Sequence, residues 1–346
     1  MRNRFASTFR KFLMYCIVIL SVASCKKDTG VLASTAIATQ KVPLKIDHTL
    51  TKDQTHNKFS KTILPVLRVN SGAVIEAYTE DASDEQFSLN STLGALDSLS
   101  FDPIHPLTGP VYVNGAAPGD VLKVTLHEIE LGDWGWNAIL PGFGFLADTL
   151  NSKYLKIYDL SKDKSRAYLN DSISLKLNPF PGVMGVAPDT EELLNTIPPR
   201  ANGGNMDDPN MTEGTILYFP VLVEGGLFSV GDGHAVQGQG EVCGTAIEAP
   251  LRVVYQIEVL KDKTLKEPQY ETDAYYATTG FAPTLDEAAK KATLYMVEYL
   301  MKERGLPQEE AYALCSLAGD LQIAEVVDLP HMLVTMHMPK AVFIKQ

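Results

Sequence analysis

Apolar and polar residues alternate along much of the chain, the pattern of strands with one buried face. Residues 62–82, TILPVLRVNSGAVIEAYTEDA, read as two short strands around an Asn-Ser-Gly turn. Residues 109–131, GPVYVNGAAPGDVLKVTLHEIEL, repeat that form around Pro-Gly-Asp. Residues 215–235, TILYFPVLVEGGLFSVGDGHA, do so around Glu224, Gly225 and Gly226, as a hairpin-like pair. APLRVVYQIEVL, residues 249–260, is rich in β-branched residues and predicts a further strand. Short strands at this spacing imply a sandwich or barrel.

Between residues 141 and 215 proline and glycine are dense, and the segment reads as loops. Phe143, Phe145, Phe180 and Met184 within it imply packed loops rather than disorder. After residue 260 the period changes. In residues 284–305, Ala288, Ala292, Tyr295, Met296 and Tyr299 recur at helical spacing. Thr284 and Glu287 form a capping box, and Gly305 stands at the C-cap. Residues 307–319 predict a second, shorter helix with Cys315 in the core, and the stretches LQIAEVVD and HMLVTMHMPKAVFIK finish as strands. The expected architecture is therefore mostly β, sandwich or barrel-like, with an α+β C-terminal part. The body would span 46–346, β-rich over 46–260 and α+β over 261–346.

The amino terminus follows a different logic. Arg2, Arg4, Arg10 and Lys11 precede a 13-residue apolar run, Phe12 to Ser24, that is short for a membrane span. It ends in small residues before Cys25. Residues 1–24 read as a secretory signal. The Val-Ala-Ser-Cys ending resembles a bacterial lipobox, which implies a lipid anchor on Cys25 and export to the cell envelope. Residues 25–45 would be a polar tether. Losing residues 1–24 removes four basic and no acidic residues, which takes the net charge from -12 to -16. So acidic a chain is a poor partner for nucleic acid. Only Cys243 and Cys315 would remain in the body, too few for a disulfide framework.

The densest chemistry lies in residues 231–248, GDGHAVQGQGEVCGTAIE. Asp232 and His234 are an i, i+2 pair, which on an extended strand faces one side and could hold a metal ion such as zinc. Asp81 closes a strand at a sheet edge, and His105 is set between prolines at 103 and 106 that stiffen it. Both are further candidate ligands. Asn205 and Asp207 could orient a substrate or satisfy turns. Glu241 and Cys243 would share a face if extended, which allows a cysteine nucleophile beside a carboxylate base. The alternative for Cys243 is a small packed thiol.

These segments resemble the acetamidase/formamidase family. The likeness covers GDGHAVQGQGEVCGTAIE and also HPLTGPVYVNGAAPGDVL, PFPGVMGVAP, PPRANGGNMD and EEAYALCSLAGDLQIAEVVD, in family order over residues 56–344. The resemblance implies hydrolysis of a short linear amide to a carboxylate and ammonia, a β-rich fold, and a divalent metal, zinc first and calcium second. It also implies an oligomer. Asp81, His105, Asn205, Asp207, Asp232, His234, Glu241 and Glu248 stand at the family's polar motif positions. Asp81, His105, Asp232 and His234 are then the expected metal ligands, and Glu241 the base for a metal-activated water. Asn205, Asp207, Gln239 and Glu248 are the expected substrate contacts. Gln239 stands where many members carry aspartate, and the loss of that charge puts hydrolysis in question. A non-catalytic, anchored ligand-binding protein and a Cys243 amidase are the competing expectations.

Overall fold

A computed structural model describes residues 44–344. The signal segment and Cys25 lie outside the described residues, as does nearly all of the tether. Residues 45–344 form one compact unit.

Two nine-stranded sheets make the body. The first runs His48–Leu50, Ala73–Tyr78, Leu251–Leu260, Val121–Leu131, Ile216–Pro220, Gln269–Glu271, Tyr275–Ala282, Met332–Pro339 and Asp320–Glu325. The second runs Gly203–Asn205, Phe180–Gly185, Phe228–Val236, Ile247–Glu248, Trp134–Ile139 and Tyr154–Asp159. Leu107–Val113 pairs with Phe228–Val236 beside that path and carries Thr55–His56 and Leu67–Val69. Ile75, Leu122, Val124, Phe219 and Tyr255 of the first sheet share one core with Val111, Met184, Phe228 and Val230 of the second. The mostly β expectation is met as a sandwich.

The pairs read from the sequence are not hairpins. Leu67–Val69 and Ala73–Tyr78 join different sheets, as do Leu107–Val113 and Val121–Leu131, and Ile216–Pro220 and Phe228–Val236. Each turn carries the chain across the core. Two alternating strands that each bury one face can meet face to face as well as edge to edge, so alternation alone does not choose between them. The expected loops of 141–215 also contain strands, among them Phe180–Gly185, which is buried throughout. A strand packed on both faces loses the alternation that marks the others.

The helices form as the caps dictate. α1 spans Leu285–Arg304, with the Thr284 hydroxyl accepting from the Glu287 amide and Gly305 in the left-handed region at φ 66°. Its Ala288, Ala292 and Met296 face the first sheet, where Gly280 leaves no room for a side chain: a Cβ there would stand 2.3 Å from the Ala288 carbonyl oxygen. α2, Gln308–Ala318, buries Cys315 against Met336 and Met338. The strands around both helices extend the first sheet, so the C-terminal α+β part shares that sheet with the β-rich part. No described helix is long and apolar enough to cross a membrane.

Candidate active site

The strand Phe228–Val236 brings Asp232 and His234 to the floor of a cavity of about 50 Å³. Asp232 departs from extended geometry, with φ at 53°. The neighbouring strand pairs with Gly231 and Gly233 but passes over Asp232. The left-handed residue turns the carboxylate toward the imidazole, and Asp232 Oδ2 lies 3.4 Å from His234 Nε2. His105, Asp207 and Glu241 also have positive φ and line the same cavity. Together these are four of the seven non-glycine residues of that kind among the described residues. Strain of this sort is held only where packing over-determines it, and it concentrates at functional sites.

Four carboxylates face His234. Glu248 Oε2 lies 3.0 Å from Nε2, Asp232 Oδ2 3.4 Å and Asp207 Oδ1 3.7 Å. Glu241 completes a second group with His234 and Glu248, and Asp207, Glu241 and Asp328 make a third. All are buried. Gly182 lies beneath them. A Cβ there would meet Asp207 Oδ1 at 2.3 Å and Asp232 Oδ2 and His234 Cε1 at 2.8 Å each.

The His234 tautomer is set from behind. Gln237 Nε2 donates to the Asp207 carbonyl oxygen at 2.6 Å, which orients the amide. Gln237 Oε1 therefore accepts from His234 Nδ1–H at 2.9 Å, which leaves Nε2 as the nitrogen turned to the carboxylates. Burial alone would depress the imidazole pKa, but the Glu248 and Asp232 carboxylates raise it well above its ordinary value. Burial and neighbouring negative charge push Glu241 well up, and burial lifts Glu248 to about 7. Burial opposes ionisation of Asp232 as well, yet the His105 and His234 imidazoles hold it below the usual carboxylate range.

The atoms left unpaired point to a cation. Asp207 Oδ1, Asp232 Oδ1, His234 Nε2, Glu248 Oε2, Asn205 Oδ1 and His105 Nδ1 are buried and make no hydrogen bond. Buried polar atoms are almost always satisfied. Carboxylate oxygens and an imidazole nitrogen are the donor set of a divalent metal ion, so the residues present fit one.

The expected residues divide. Asp232, His234, Asp207, Glu241 and Glu248 converge, with Asn205 and His105 in the same cavity wall. Asp81 does not join them. Its carboxylate accepts from Ser83 N, Ser83 Oγ and Trp136 Nε1 at Oδ1 and from Glu85 N at Oδ2, and it belongs to none of the buried carboxylate–histidine groups. It braces Ser83 and Trp136, which line the cavity. Gln239 is exposed and donates to Gln322 Oε1 at 3.0 Å, outside the cavity wall. Cys243 also lies outside that wall, with Sγ 3.3 Å from the Thr245 carbonyl oxygen. The amides of Gly240 and Gly244 donate to the Ala324 and Glu241 carbonyl oxygens.

Asp328, Glu325, Gln237 and Gly182 were not anticipated. Asp328 accepts from Asn205 Nδ2 at 2.8 Å, and burial with the Glu325 charge raises its pKa well above the ordinary value. Glu325 Oε2 accepts from the Val327 and Asp328 amides, and burial lifts its pKa to about 8. The Gly240 amide docks on Ala324, so the C-terminal strand Asp320–Glu325 fixes the turn that carries Glu241.

The sequence profile of the acetamidase/formamidase family matches residues 42–196 and 190–345. The chain is similar to the formamidase of Methylophilus methylotrophus, 26% identical over 84% of this chain and 89% of that one. Among solved structures it resembles a recombinant predicted acetamidase/formamidase from Thermoanaerobacter tengcongensis, with TM-score 0.80 and 36% identity over 85% of this chain and 96% of that one. An acetamidase from Bacillus halodurans gives TM-score 0.80 and 32% identity over 85% and 98% of the two chains.

Proposed function

The chain belongs to the acetamidase/formamidase family, and we propose that its buried carboxylate–histidine cavity hydrolyses the C–N bond of a short linear amide to a carboxylate and ammonia. It is an amidase of linear amides, acting on C–N bonds other than peptide bonds. The observation that carries the mechanism is the set of unpaired buried atoms converging on one small cavity.

Asp207, Asp232 and His234, with Glu248 3.0 Å from His234 Nε2, are the residues that would hold a divalent cation. The mixed oxygen and imidazole donors suit zinc, with calcium the alternative where oxygen donors dominate. When bound, the ion supplies Lewis acidity and makes water a stronger acid. Glu241 takes the proton from the attacking water and returns it to the departing nitrogen. Its carboxyl must be ionised to begin, and a nearby cation opposes the burial and charge that keep it protonated. Asn205 Oδ1 is free to accept from the substrate amide N–H, while Asn205 Nδ2 stays fixed on Asp328. Gln237 holds His234 with Nε2 forward.

Glu241→Gln tests this reading. It should abolish ammonia release from formamide and acetamide while circular dichroism shows the fold intact. Retained turnover removes Glu241 from the base role. Gln239 and the anchor are the grounds for a non-catalytic binding protein, and the exposed position of Gln239 outside the cavity wall weakens the first of them. The basic amino terminus, the apolar run and Cys25 support export and a lipid anchor at the cell envelope.

A further inference from the structure

We infer that Phe143, with Phe101 against it, sets the largest acyl group the cavity accepts, an inference that rests on the amide-hydrolysis reading. The cavity is small, about 50 Å³. Its floor is polar and takes the reacting amide. Two rings from separate loops stand in its wall: Phe101 and Phe143 meet edge to face, centroids 6.0 Å apart at 64°. Phe101 is 47% exposed, so this ring pair marks the mouth.

Both rings ride on surface loops, yet both loops are anchored. Next to Phe101, the Ser100 amide donates to Gln86 Oε1 at 2.7 Å and Gln86 Nε2 donates back to the Ser100 carbonyl oxygen at 2.9 Å. Next to Phe143, the Phe145 amide donates to the Val242 carbonyl oxygen at 2.9 Å. Gly144 comes so close to this second segment that a Cβ would stand 2.8 Å from the Cys243 carbonyl oxygen. The Phe143 ring itself lies on Gly244, where a Cβ would meet its Cε1 at 2.4 Å. The ring is thus pinned to the turn that carries Glu241. An acyl chain leaving the polar floor runs into an aromatic wall that cannot retreat without moving the base. Each added methylene that fails to fit costs on the order of 10-fold or more in kcat/KM.

The test is kcat/KM for formamide, acetamide, propionamide and butyramide with the wild-type protein, Phe143→Ala, Phe143→Leu and Phe101→Ala. The butyramide-to-formamide ratio should rise at least about 10-fold in Phe143→Ala, and in the same direction but less in the other two. A ratio within about twofold of wild type in all three variants overturns the inference while leaving hydrolysis standing. If the wild-type protein releases ammonia from none of these amides, the hydrolysis reading falls instead. Size selection is then read by calorimetric binding of the same four amides. Preferential gain for butyramide in Phe143→Ala supports the ring wall, and an unchanged size profile refutes it.

Discussion

His234 Nε2 and Glu248 Oε2 lie 3.0 Å apart, and neither makes a hydrogen bond. Two buried polar atoms that approach this closely without a hydrogen bond between them share a focus. Asp207 Oδ1 and Asp232 Oδ1 are unpaired in the same place. Each such atom costs about 1–3 kcal/mol, and a cation at the focus relieves all of them together. The purified protein should therefore carry a divalent ion by elemental mass spectrometry. Stripping it with a chelator should lower Tm by several degrees, and resupplying zinc or calcium should restore it. At a free ion concentration of about 100 Kd the expected stabilisation is about 2.7 kcal/mol. Protein that purifies without metal and gives the same Tm with and without these ions speaks against the site.

Gln237 controls the site without lining the cavity. Its Oε1 accepts from His234 Nδ1, and its own orientation is locked on the Asp207 carbonyl oxygen. Gln237→Leu removes both. Metal affinity should fall roughly 10- to 100-fold, measured by competition with a metallochromic dye. Unchanged affinity means that the imidazole is oriented by packing against Phe180, whose ring centroid lies 5.0 Å away.

Gly182 offers a harder test. A methyl group there would overlap Asp207 Oδ1, Asp232 Oδ2 and His234 Cε1 at once. Gly182→Ala should abolish amide turnover and metal retention together. The single methyl adds almost no bulk elsewhere, so circular dichroism should remain native. A variant that keeps its metal shows that the strands can part at this point.

The sequence reveals the part of the site that is local. Asp232 and His234 are two residues apart, and Glu241 and Glu248 follow within the same turn-rich stretch. The rest is assembled by topology. Asn205 meets Asp328 across 123 positions of sequence, and Gly182 reaches the ligands only because Phe180–Gly185 pairs antiparallel with Phe228–Val236. No periodicity encodes such meetings. Asp81 misled for a related reason. A buried carboxylate at a strand end looks the same in sequence whether it binds an ion or, as here, caps the turn at Ser83 and Glu85. The helices were legible nearly to the residue because their caps are local.

Two residues that drew attention in the sequence should prove silent. Gln239 pairs with Gln322 at the surface, and Cys243 contacts Thr245 outside the cavity wall. Gln239→Asp and the half-buried Cys243→Ala should each keep ammonia release from formamide within about twofold of wild type, since neither side chain lines the cavity. Thiol alkylation should not inhibit the wild-type protein. A large loss in Cys243→Ala would revive a thioester route.

His56 should make the fold acid-sensitive. The Lys58 carbonyl oxygen accepts from Nδ1 at 2.6 Å, and Nε2 accepts from the Ser229 hydroxyl at 2.8 Å, so the neutral ring is fully satisfied. Burial pushes its pKa down to about 4 from an ordinary 6.5. The unfolded chain therefore takes up a proton as pH falls below 6.5, while the folded protein resists until about 4. Stability from this residue is complete above 6.5, declines through the interval between the two values, and is lost below the lower one. The shift corresponds to about 3 kcal/mol over the whole window. Urea unfolding at about pH 7.5 and about pH 4.5 separates this effect from the carboxylates when the wild-type protein is compared with His56→Gln. The variant keeps an amide that can bond the same partners but cannot titrate, so its loss between the two pH values should be smaller by about 2 kcal/mol. An equal loss in both proteins would place the acid sensitivity elsewhere.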